Sequence, residues 1–97
     1  MTIPVARLGD LSTLDPCKAP PRPNVVGSGN VFVNGIPVHR LGDAWAPHPC
    51  PGLPPHTAVT ATGSGTVFVN GFPIARIGDK IICGSTIAVG SGNVFAG

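Results

Sequence analysis

With 97 residues, a net charge of +2 and only 10% charged side chains, the chain has room for one small domain and carries too little positive charge for a nucleic-acid partner. An ordinary soluble domain carries about 25% charged residues, so a surface this poor in charge implies that part of it is hidden against a partner. No run approaches the roughly 18–20 apolar residues of a membrane helix. The N-terminus also lacks the basic-then-apolar form of a secretory signal, so synthesis in the cytoplasm is expected, with any export by a route other than general secretion.

Reading from the N-terminus, IPVARLGD at residues 3–10 is the second half of a repeat whose first half, GSGNVFAG, lies at residues 90–97. Two intact copies stand between them, GSGNVFVNGIPVHRLGD at residues 27–43 and GSGTVFVNGFPIARIGD at residues 63–79. A repeat divided in this way implies that the C-terminal strand pairs with the N-terminal one and closes three similar sectors into a ring. The 14 glycines and 12 prolines would suggest disorder without a period, but here the glycines recur in register and read as turn residues.

Each intact copy reads as a β-hairpin. The runs Val31-Phe32-Val33 and Val67-Phe68-Val69 are β-prone, and Asn34-Gly35 and Asn70-Gly71 suit the positive φ angles of a two-residue type I′ turn. The return arms are expected over residues 36–41 and 72–77. Pro37 and Pro73, early in those arms, cannot donate to a ladder and mark a strand start or an edge. The Gly-Asp pairs at residues 9–10, 42–43 and 78–79 end the arms in turns, their aspartates bonding local backbone. No window carries a helical period. The fold class is therefore all-β: one domain over residues 1–97, with repeat strands at about 3–10, 27–43, 63–79 and 90–97.

Three long segments join the hairpins, at residues 11–26, 44–62 and 80–89. Each leaves a Gly-Asp turn and returns to a Gly-Ser-Gly, both opposite the Asn-Gly end, so all three emerge on one side and converge. The first two are rich in proline and poor in periodic apolar residues. Ordering them costs about 1–2 kcal/mol of backbone entropy per residue.

Nearly every ligand-type side chain lies in these segments: Asp15 and Cys17 in the first, His48, Cys50 and His56 in the second, Cys83 in the third. The cysteines fall one per segment in equal steps of 33 residues, and their odd number argues against a fully paired disulfide framework. Thiolate and imidazole are the usual ligands of closed structural zinc sites, which contribute on the order of 10–16 kcal/mol of apparent folding free energy in small domains. The bland alternative is cysteine as a small buried hydrophobe and histidine as an exposed loop residue. His39, at the phase of Ala6 and Ala75, reads as an ordinary strand side chain, and Trp45 as packing under the loop. Three of the four carboxylates are repeated turn aspartates, which leaves no acid pair for general acid–base catalysis. Gly-Ser-Gly lacks the lysine and helix of a phosphate loop. An enzyme is not expected.

The strings Pro-Val-Ala-Arg, Pro-Val-His-Arg and Pro-Ile-Ala-Arg, each followed by an apolar residue and Gly-Asp, resemble the Pro-Ala-Ala-Arg (PAAR) repeat family, as do the GSGxVFVNG strings and the closing GDKIICGSTIAVGSGNVFAG. The likeness covers essentially the whole chain and is closest to the short, single-domain form on contractile phage baseplates and type VI secretion spikes. It implies a β-rich cone whose base caps a homotrimeric β-helical spike (VgrG or the phage central spike), one tip per trimer, with a metal ion near its point, for piercing a target envelope. By position, His48 and His56 match the family's middle-loop histidines and Cys83 its last cysteine. The first loop departs from the pattern, having Leu14-Asp15-Pro16-Cys17 where relatives carry a histidine. The expected ligands are Cys17, His48, His56 and Cys83, with Asp15 and Cys50 as rivals for Cys17 and a Cys17–Cys50 disulfide as a further alternative. The expected metal is structural Zn2+, with iron the alternative. The resemblance implies assembly at a phage tail or secretion spike, delivery with the virion or by injection, and transient membrane contact. With nothing after the last repeat strand, cargo is expected to bind non-covalently. The alternative from another class is a free-standing Zn/Cys-His binding module.

Overall fold

The computed structural model describes residues 3–13, 20–50 and 53–97, with backbone but not side chains for residues 48–50 and 53–56. All the regular structure among them is β: β1 (Ile3–Pro4), β2 (Phe32–Val33), β3 (Ile36–Pro37), β4 (His48–Cys50), β5 (Leu53–His56), β6 (Phe68–Val69), β7 (Phe72–Pro73) and β8 (Phe95–Ala96). β2 pairs with β3 and β6 with β7 around the expected turns. Asn34 and Gly35 lie at φ 56° and 76°, Asn70 and Gly71 at 54° and 83°, the two positive angles that a type I′ turn requires.

The divided repeat closes as its sequence implies. β1 and β8 pair antiparallel, Pro4 opposite Phe95 and Ile3 opposite Ala96. This register matches Pro37 opposite Phe32 and Pro73 opposite Phe68. Gly97 falls at the ladder position of Asn34 and Asn70, and its carbonyl oxygen accepts the Ser64 hydroxyl, as the Asn70 and Asn34 amide oxygens accept those of Ser28 and Ser91.

The return arms depart from the expected continuous strands. After the proline each arm makes one more bond to its own hairpin, the Val5, Val38 and Ile74 N–H groups donating to the Val94, Val31 and Val67 carbonyls at 3.0 Å, and then bridges the neighbouring sector: Arg7 to Val38, Arg40 to Ile74, Arg76 to Val5. Along the axis the backbone forms a closed cycle of three hydrogen bonds, Ala6 N–H to the Ala75 carbonyl (2.9 Å), Ala75 N–H to His39 (3.1 Å) and His39 N–H to Ala6 (3.1 Å). The physical reason is that the outer edge of each arm has no partner within its own repeat, and the Pro37, Pro73 and Pro4 carbonyls on that edge accept from Leu8, Leu41 and Ile77 of adjacent sectors at 2.7–2.9 Å.

Successive residues of an extended arm point to opposite sides, so each arm feeds two clusters. Val5, Val38 and Ile74 join Val33, Val69 and Ala96 on the hairpin side. Ala6 and Ala75 join Trp45, Ala58, Ile81 and Ile87 on the loop side. A second cycle of bridges laces the loop stems: Asn24 to Trp45, Thr60 to Ile81, Ile87 to Ser12. The result is a pseudo-threefold body built from non-local pairing.

Candidate functional site

The two ends of the axis differ in chemistry. At the hairpin end Phe32, Phe68 and Phe95 hold equivalent ladder positions and remain 55%, 56% and 46% exposed. Phe72, half exposed, enlarges the apolar surface of one sector and lies under the Arg40 guanidinium, 5.4 Å from ring centre to Cζ. Three equivalent aromatic side chains on a charge-poor body make a surface of threefold character.

The Gly-Asp turns form three copies of one clamp. In each, the aspartate Oδ2 accepts the arginine backbone N–H and Nε–H, and Oδ1 accepts Nη2–H: Arg7 to Asp10 at 2.8, 3.0 and 3.2 Å, Arg40 to Asp43 at 2.9, 2.9 and 3.1 Å, Arg76 to Asp79 at 2.7, 3.1 and 3.0 Å. The Asp79 hydrogen bonds, ahead of the opposing effect of burial, raise the Arg76 pKa above its ordinary value. Gly9, Gly42 and Gly78 make the turn at φ 87–88°, where a Cβ is strained. The Gly-Ser-Gly serines are buried too. Ser28 Oγ accepts the Asn30 and Val31 N–H groups, and Ser64 and Ser91 repeat the pattern. These motifs hold turns and sectors together.

At the loop end, the middle segment contains a ribbon that its prolines conceal. β4 and β5 pair antiparallel with His48 opposite His56 and Cys50 opposite Leu53, a register shift lying between. Pro51-Gly52 between the strands is a turn dipeptide, but Pro49, Pro54 and Pro55 supply no N–H and the strands carry no alternating pattern, so the segment reads as loop. Cys83 stands in a turn with Gly84 at φ 106°, its Sγ 3.2 Å from Ser85 Oγ, half-buried against the loop-side cluster. Asp15 and Cys17 lie outside the described residues, as do the side chains of His48, Cys50 and His56. Among the described residues no group of three or more ligand-type side chains is assembled.

The family model of the PAAR motif matches residues 25–89. The chain belongs to the PAAR-motif family. That motif is associated with spike-tip proteins of type VI secretion systems and phages. No curated protein matches the chain. The match spans both intact PAAR-type repeats and the middle and last loops. The divided repeat falls outside residues 25–89, and its membership of the ring rests on the β1–β8 pairing.

Among the PAAR-type strings the residue before arginine, Ala6, His39 or Ala75, marks the one position where a polar side chain replaces an apolar one. His39, where the other sectors have Ala6 and Ala75, is fully buried on the axis. Its Nδ1 lies 2.8 Å from the Val26 carbonyl oxygen and its Nε2 2.7 Å from Thr60 Oγ1, which also accepts Trp45 Nε1–H at 2.8 Å. The imidazole and indole meet edge-on, centroids 5.3 Å apart. Burial lowers the His39 pKa, so the ring is neutral. A carbonyl only accepts, so Nδ1 carries the hydrogen and Nε2 accepts from Thr60. Only its departure from alanine at a repeated phase flags this residue in the sequence.

Proposed function

We propose that this PAAR-motif chain is a structural tip. One copy caps a homotrimeric β-helical spike (VgrG or a phage central spike) and gives a contractile injection machine a rigid point for piercing an envelope. The observation that carries the reading is the ring closure, because it lets a single chain offer three similar faces to a threefold partner. Phe32, Phe68 and Phe95 support the hairpin end as the covered base. Apolar contact there would also cover the strand edges at the end of a spike helix, which otherwise invite aggregation. The role is mechanical and not enzymatic. Synthesis in the cytoplasm, assembly on a phage tail or secretion spike and transient contact with the target membrane follow from the same reading.

At the opposite end, Cys17, His48, His56 and Cys83 would hold Zn2+. The paired register of His48 and His56, and the position of Cys83 in a turn on the loop side, support this donor set, and the soft-to-borderline ligands suit a closed structural site. Bound metal would supply cross-linking energy that helps hold the three loops together. No step of chemistry runs through it.

Co-expression with a trimeric β-helical spike protein tests the proposal. A stable complex at one tip per three spike chains is expected, and Phe32→Asp combined with Phe68→Asp and Phe95→Asp should weaken it at least tenfold while the isolated tip stays folded. No complex with such a trimer, or full binding by the triple variant, would overturn the assignment of this surface.

A further inference from the structure

Besides its backbone bridges and apolar cluster, the loop-bearing half contains a buried polar cluster centred on His39, where the other two sectors have Ala6 and Ala75. Trp45 lies at the start of the middle segment, Thr60 at its end and Val26 at the end of the first segment. All three meet at His39, whose backbone belongs to the axial hydrogen-bond cycle. Donors and acceptors are matched in one arrangement only. Trp45 Nε1–H occupies the Thr60 oxygen, the Thr60 hydroxyl hydrogen goes to His39 Nε2, and His39 Nδ1–H goes to Val26.

We propose that His39 is a positioning residue that works as a proton-operated latch: neutral, it clasps the stems of the first two loops to the axis, and protonated, it releases them. A proton taken from solvent onto Nε2 converts that atom from acceptor to donor. The Thr60 hydroxyl hydrogen then faces an N–H and loses its acceptor, and a positive charge sits in a fully buried site. The charged groups around the ring are Asp43, Arg40 and Asp10. Asp43 is held by Arg40 and Asp10 by Arg7, so neither carboxylate is free to neutralise an imidazolium. The latch concerns the loop stems and requires neither the spike partner nor the metal, so its failure and that of the proposed function are distinguishable.

A histidine whose pKa is lowered by folding stabilises fully above its unfolded pKa, about 6.5, and loses that contribution as pH falls through the window down to the folded value. Within the window the unfolding constant rises about tenfold per pH unit for one proton.

Trp45, the single tryptophan, reports directly because its ring abuts the imidazole. The experiment uses the full chain as purified, between pH 8 and 4. Trp45 emission should fall or shift with a midpoint below 6.5 and Tm should drop in step. His39→Ala, which installs the residue of the other two sectors, should abolish the emission step. Thr60→Val should move the midpoint. Nitrogen NMR of the wild-type ring at pH 8 should show the Nδ1–H tautomer, a readout that stands even if a variant fails to fold. An Nε2–H tautomer, or a pH dependence of emission and Tm unchanged in His39→Ala, would overturn the latch.

Discussion

Replacing the clamp aspartates one at a time is an experiment with three internal replicates. The Asp10, Asp43 and Asp79 side chains are 9%, 10% and 6% exposed, their arginines 16–17%. Alanine removes three hydrogen bonds to one arginine and leaves a guanidinium and a backbone N–H without their acceptor. Breaking a fully buried pair costs 3–5 kcal/mol; these arginines keep some access to water, so about 3 kcal/mol is expected at each site, or roughly 12–25 °C in Tm for a domain of this size. Asparagine keeps an acceptor for the backbone N–H but loses the charge, and should cost about 1–2 kcal/mol. Asp10→Ala and Asp43→Ala should agree within about 0.5 kcal/mol. Asp79→Ala should cost about 1 kcal/mol more, because Asp79 Oδ1 also accepts the Thr62 hydroxyl at 3.0 Å. Urea unfolding at pH 7, followed by Trp45 emission, reads all six variants. Losses under about 1 kcal/mol, or differences among sectors unrelated to Thr62, would refute the view that the clamps are equivalent structural parts of a ring.

The glycines of one Gly-Ser-Gly give a contrasting pair. A Cβ on Gly63 would stand 2.9 Å from Pro73 Cβ and 3.0 Å from the Ile74 oxygen, so Gly63→Ala should lose about 2 kcal/mol or more through overpacking, whereas Gly65, with nothing within 4 Å, should accept alanine within about 0.5 kcal/mol in the same unfolding assay. Elemental analysis of the purified chain should find about one zinc per chain, and chelator, His48→Ala or Cys83→Ala should each lower Tm by more than about 10 °C; equal Tm with and without chelator would defeat the structural-metal reading.

Repetition is what made most of this fold readable. Asn-Gly after Val-Phe-Val specified two hairpins, because a type I′ turn is decided by neighbours a few residues apart, and the same half-motifs recurring at residues 3–10 and 90–97 specified the third. The recurrence of Arg-x-Gly-Asp marked the turns as structural, although the arginine's grip on the aspartate became visible only with coordinates. Cys83 in its turn was legible from Cys-Gly-Ser. The β4–β5 ribbon was not: Pro51-Gly52 is a turn signal, but the proline-rich strands on either side have no alternation, and the pairing of His48 with His56 depends on a register shift that no local pattern encodes.

The amino-acid sequence alone determined an all-β body with three similar sectors, its family, and the segments in which the ligand-type residues lie. The tertiary structure decided which sector each arm bridges and that the hydrogen-bond cycle closes on the axis. It also turned one departure from alanine, His39, into the buried centre of the loop half. Those outcomes rest on contacts between residues far apart in the chain, where the geometry of closure, rather than the preference of any local segment, selects the partner.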